Sequence, residues 1–139
     1  MPTLLADTLL AAADRFPDRV ALRYGPNELD YAGTAIAVRR FADQLLGLGL
    51  QRMDRVAIYA EKRFETVIAM YGAALAGGVY VPVNPLLKAE QVGHIARDCA
   101  TRVLVTTRER VPLLDVVLAS TPAIDTLIER IVAAETRET

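Results

Sequence analysis

The chain has 139 residues, 53% hydrophobic and 24% charged, with a formal net charge of −1. Such a composition excludes overall disorder and suits one domain, which at this size buries roughly 68–70% of its unfolded surface. Its 14 arginines and 2 lysines form no dense basic run, which argues against a nucleic-acid-binding surface.

The opening LLADTLLAAADRF places Leu5, Leu9, Ala12 and Phe16 on one helix face, and Pro17 stops that helix. The stretch lacks a basic flank and carries Asp7 and Asp14 within its apolar run, so it does not read as a signal peptide. A short strand, VALRYG, leads to a turn at Gly25-Pro26-Asn27. Asp30 then caps a helix whose stripe is Thr34, Val38, Phe41, Leu45 and Leu48, with Gly49 closing it in a left-handed conformation.

From Asp54 onward the pattern is β-α-β. VAIY is a mostly apolar strand, and Phe64–Ala76 is a helix with Phe64, Val67, Ile68, Tyr71 and Leu75 on one stripe. Its other face (Thr66, Ala69, Met70, Ala73) is nearly uncharged, the mark of a helix covered on both sides. Gly77-Gly78 ends it, and VYVPV follows as a strand in which Pro82 signals an edge or a frayed end. Asn84-Pro85 sets the exit into a helix over Lys88–Cys99, with Val92, Ile95, Ala96 and Cys99 inward. RVLVT is a third strand, and Thr106 with Glu109 has capping-box spacing for a helix through Val111, Leu114 and Leu118. AIDTLIERIVAAETRET fits a helix or a strand ending near Val132, with residues 133–139 frayed. The expected fold class is α/β: a parallel-sheet β-α-β-α-β unit preceded by helix-strand-helix, in one domain over residues 1–139.

Catalytic constellations are sparse. His94 is the only histidine and reads as a helix-surface residue, because no second ligand or orienting partner accompanies it. Cys99, the only cysteine, is either a reactive thiol or a small core residue, and its apolar stripe favours the core. It permits no internal disulfide and suits a reducing compartment. Glu61, Lys62 and Arg63 lie between a strand and a helix, where a ligand crevice can form, although a solvated helix start explains them as well. There is no G-x-G-x-x-G, no G-x-x-x-x-G-K-[ST] and no G-x-S-x-G, and no glycine after Gly93. No uncharged run approaches the ~20 residues of a membrane span, and a cytoplasmic location is expected. No catalytic, cofactor-binding or metal-binding residue is assigned.

The order of segments nevertheless resembles the amino-terminal part of the AMP-forming adenylating enzymes: acyl-CoA synthetases, peptide-synthetase adenylation domains and luciferases. The likeness runs from about Leu4 to Val132. RFPDRVALRYGPNELDYAGTAIAVRRFADQLLGLGL is similar to the family opening, and DRVAIYAEKRFETVIAMYGAALAGGVYVPVNP carries the early "alanine-glycine-glycine, aromatic, valine-proline" motif. Gly77, Gly78, Tyr80, Pro82, Asn84 and Pro85 are thus family markers, read as scaffold. LLKAEQVGHIARDCATRVLVTT matches the next helix and strand and is most similar to acyl-CoA ligases associated with exosortase systems. Gly33-Thr34 stands where the family usually has Glu-Leu, and Met53 where a glycine commonly precedes the Asp.

The resemblance implies ATP, Mg and CoA as reactants and ligands of a complete enzyme, with a carboxylic acid substrate. It equally admits an amino-acid adenylation domain, and a stand-alone α/β interaction module is the non-enzymatic alternative. The family's Ser/Thr/Gly-rich phosphate loop, its adenine and ribose motifs and its carboxyl-terminal lysine have no counterpart here. The expectation is therefore a segment inactive alone, whose partner is the remainder of the enzyme. If the second face of the 64–76 helix needs that remainder, the isolated chain should self-associate.

Overall fold

The computed structural model describes residues 5–61 and 63–128. Helix α1 (Leu5–Arg15) precedes a hairpin of β1 (Val20–Tyr24) and β2 (Asn27–Asp30), then α2 (Tyr31–Gly47). There follow β3 (Arg55–Tyr59), α3 (Phe64–Leu75), β4 (Val79–Val83), α4 (Ala89–Asp98) and β5 (Thr101–Thr106). A 3₁₀ segment (Arg108–Leu114), α5 (Asp115–Ser120) and β6 (Thr126–Ile128) complete it. The four strands β4-β3-β5-β6 pair in that order, all parallel.

The sheet is apolar on both faces, as a parallel sheet between helix layers must be. Val56, Ile58, Val103, Val105 and Ile128 point to the core shared with α2 and α3. The intervening Ala57, Tyr59, Val83 and Leu104 join Val92 of α4 and Val117 of α5 on the opposite side. The fold is thus a three-layer α/β/α sandwich, agreeing with the expected α/β class.

Two helices end in the same way. Gly49 and Gly77 adopt φ of +90°, and the next residue's N–H reaches back to the carbonyl five residues earlier, Leu50 to Leu45 (3.0 Å) and Gly78 to Ala73 (2.9 Å). Gly78 has no positive φ; its need is space, because a Cβ there would lie 3.1 Å from the Asp54 carbonyl oxygen. Pro82 sits on β4, which has only β3 beside it among the described residues, so the missing N–H leaves no ladder bond broken.

Several expectations are corrected. In α1 Leu9 packs on the core as expected, but the buried residues are Ala6 and Ala13, while Leu5, and Phe16 just beyond the helix, are exposed where the expected stripe has them inward. Leu48 is exposed because it is the C-cap of α2, outside the helical period, and Leu50 is buried instead. NELD forms a strand despite its polar composition, since a turn at Gly25 (φ +59°) folds it onto β1. Thr106 caps no helix. Its hydroxyl donates to the Tyr59 carbonyl (2.8 Å) within the sheet. Pro112 interrupts the α-helical bonding pattern, so the chain runs as 3₁₀ to Leu114 before α5 begins. Residues 126–128 of the ambiguous last segment form a strand; Val132 and the tail lie outside the described residues.

Candidate functional site

The strand order reverses direction between β3 and β5. From β3 the chain crosses through α3 to β4, and from β5 it crosses through α5, on the other face of the sheet, to β6. Loops leaving the carboxyl ends of these two strands therefore run toward opposite faces of the sheet. In open α/β sheets, ligands bind at such a switch point.

Tyr59 and Thr106, the last residues of β3 and β5, flank it and are both buried. The Tyr59 hydroxyl donates to the Leu87 carbonyl beyond β4. Arg110, arriving from the loop after β5, stacks its guanidinium 4.6 Å from the Tyr59 ring centre. Its Nη1 donates to the Pro85 carbonyl (3.0 Å) and its Nη2 to Glu61 Oε1. The Arg110 side chain is 16% exposed, and its Nε is buried without a partner.

Glu61 is fixed from several sides. The Arg110 hydrogen bond, then Glu61's own backbone N–H, hold its carboxyl below the usual range. Arg63 approaches the other oxygen at 3.4 Å, and the Thr66 hydroxyl donates to the Glu61 carbonyl. Glu109 is lowered as well, by its own N–H and the Thr107 hydroxyl. Both acids are ionised near neutrality, so the cluster suits orientation and binding of polar groups rather than proton donation.

The family-marker residues divide between the two ends of β4. Gly77 and Gly78 lie at its amino end, packed against the turn before β3. Tyr80 packs on the core shared with α2 and α3, and Pro82 is exposed. Asn84 and Pro85 lie at its carboxyl end. Asn84 Oδ1 accepts from the Leu86 N–H (2.9 Å), and Pro85 supplies the carbonyl bound by Arg110. Of the charge run, Glu61 joins Arg110, Arg63 sits at the N-cap of α3, and Lys62 lies outside the described residues.

His94 is an exposed α4 residue 3.3 Å from Asp98, as the surface reading has it. Cys99 is a free, half-buried thiol at the end of α4. Among the described residues no three His, Cys, Asp or Glu side chains gather as metal ligands, and no helix is long and apolar enough to cross a membrane. Residue-level reading missed Tyr59, Thr106 and Arg110. The available signal was position alone: each ends, or follows, a strand flanking the switch point.

A three-layer parallel sheet with a switch point between β3 and β5 defines an open α/β domain. Residues 9–138 match the family model described as "AMP-binding enzyme", and the chain belongs to that family. It is 35% identical over 127 residues to the N-(5-amino-5-carboxypentanoyl)-L-cysteinyl-D-valine synthase of Streptomyces clavuligerus, covering 90% of this chain and 16% of that protein. It is 34% identical over 124 residues to a medium/long-chain-fatty-acid–CoA/3-oxocholest-4-en-26-oate–CoA ligase of Mycolicibacterium smegmatis, covering 89% and 22%. Among solved structures, the N-terminal domain of FACL13 from Mycobacterium tuberculosis superposes with a TM-score of 0.88 at 27% identity, over 96% of this chain and 35% of that one. The chain thus spans less than a quarter of the length of either curated relative.

Proposed function

We propose that the chain is the amino-terminal segment of an ATP-dependent, AMP-forming acyl-CoA ligase. In that reaction a carboxylate oxygen attacks the α-phosphorus of ATP, pyrophosphate leaves, and an acyl-adenylate forms. The CoA thiol sulfur then bonds to the acyl carbon, the thiol proton is released, and AMP departs. Mg accompanies ATP as its counter-ion. None of these steps is assigned to a residue of this segment, which supplies one sheet of the complete domain and is inactive alone in a cytoplasmic enzyme.

The observation that carries this reading is the 34% identity, over 89% of this chain, to the M. smegmatis fatty-acid–CoA ligase. The narrower likeness to exosortase-associated ligases rests on the Leu86–Thr107 block alone. A second reading, an amino-acid adenylation domain, is favoured by the 35% identity to the S. clavuligerus synthase. The stand-alone interaction module remains as the non-enzymatic alternative.

Pyrophosphate release by the complete enzyme, measured with ATP and panels of fatty, aromatic and amino acids, separates these. Release with a simple carboxylic acid followed by CoA thioester formation is the expected result. Release with amino acids and no CoA thioester would establish the second reading. Turnover by residues 1–139 alone would overturn the claim that the segment is inactive.

A further inference from the structure

We propose that Arg110 is a positioning residue that sets the loops at the β3/β5 switch point for substrate, a role resting on the adenylating reading above. Three loops leave the carboxyl ends of β4, β3 and β5, which are adjacent in the sheet. Arg110 belongs to the third and is bonded to both others, at Pro85 after β4 and at Glu61 after β3. Its guanidinium rests on Tyr59, whose hydroxyl holds the carbonyl of Leu87. The turn after β4 is therefore gripped at two carbonyls, two residues apart, while Asn84 Oδ1 holds the intervening Leu86 N–H.

Between those grips the Leu86 side chain stands 87% exposed. A braced turn that presents a large apolar side chain to solvent differs from one that packs it. Arg110 thus fixes the three loops relative to one another, and Leu86 is the group they present.

Kinetics of the complete enzyme test this. KM for nucleotide, carboxylic acid and thiol acceptor, together with kcat and Tm, would be measured for Arg110→Met, Arg110→Lys and Tyr59→Phe. Arg110→Met should lower Tm, because Glu61 and the Pro85 carbonyl lose their partner, and should in addition raise one of the three KM values about tenfold with kcat near wild type. Tyr59→Phe keeps the ring but releases Leu87, and should shift the same KM by less. Arg110→Lys should restore part of the loss. Three unchanged KM values would overturn the proposal, and so would a uniform decline of every parameter with Tm. Amide exchange at Leu86 and Leu87 gives a second readout: it should quicken in Arg110→Met while core amides stay protected, and no change there counts against the role. An inactive wild-type enzyme would refute the adenylating reading itself, and loop exchange would then decide whether Arg110 sets the turn.

Discussion

Met53 holds φ at +71°, a left-handed conformation that costs a side chain with a Cβ about 1–2 kcal/mol. Its N–H is needed there, donating to the Gly77 carbonyl at 2.8 Å, so the turn cannot relax without releasing the end of α3. This is the position where the resemblance sets a glycine. Met53→Gly removes the steric cost but enlarges the freedom of the unfolded chain, an offset of about 0.4–1 kcal/mol. The net prediction is a gain of roughly 0.5–1 kcal/mol, read as a higher urea midpoint. Gly72 has the opposite need. A Cβ there would come 2.6 Å from Phe41 Cδ2 and 3.2 Å from the Val38 carbonyl oxygen, so the glycine lets α2 and α3 cross closely. Gly72→Ala gains helix propensity but forces a fully buried ring to move, and a loss of about 1–3 kcal/mol is predicted by the same denaturation.

Elements were legible where one side chain could reveal its role. Asp30 was recognisable as a cap, and its Oδ1 accepts from the Gly33 N–H at 2.7 Å. The unusual Thr34 that follows buries its hydroxyl safely, donating to the Asp30 carbonyl. The α3 helix was legible from its length and uncharged faces. By contrast, the stripe read in α1 was half right: Leu9 packs on the core, but contact with α2 and α3 buries Ala6 and Ala13 in place of Leu5 and Phe16. The Arg110 cluster was illegible for a related reason: it exists only once strand order is known. A second arginine also works across elements. Arg102 of β5 donates to the Gly49 carbonyl after α2 (2.7 Å), to Asp54 before β3 (2.6 Å) and to Asp125 before β6 (2.9 Å). Asp54 is held below its ordinary pKa by the Gln51 N–H and then Arg102, and Asp125 by Arg102 and then Thr126. A depressed folded-state pKa gives stability that is present above the unfolded value, about 3.9, and lost as pH falls through the folded one. Arg102→Met should therefore be less stable than wild type at neutral pH, with the gap narrowing below about pH 4. A gap constant from neutral to acid in denaturant titrations would show that the ion pairs contribute nothing.

The whole molecule changes the reason to predict self-association. The sequence placed the hazard on the second face of α3, yet no residue from Phe64 to Leu75 is exposed, because α1 and α2 cover that helix. Among the exposed apolar side chains, Leu113 (65%) and Val116 (77%) lie three residues apart around the start of α5, on the other side of the sheet. The short edge strand β6 has only β5 beside it among the described residues, and an edge without a partner is a template for pairing. Both features suit a segment that packs against further chain in a complete enzyme. Expressed alone, residues 1–139 should show a light-scattering mass that climbs with concentration above the 15.1 kDa of one chain. Leu113→Asp with Val116→Asp should lower that mass if the apolar pair drives association, whereas an unchanged mass would direct attention to the β6 edge. A constant 15.1 kDa at every concentration would mean that the segment covers its own surfaces, and would favour the stand-alone module over a piece of a larger enzyme.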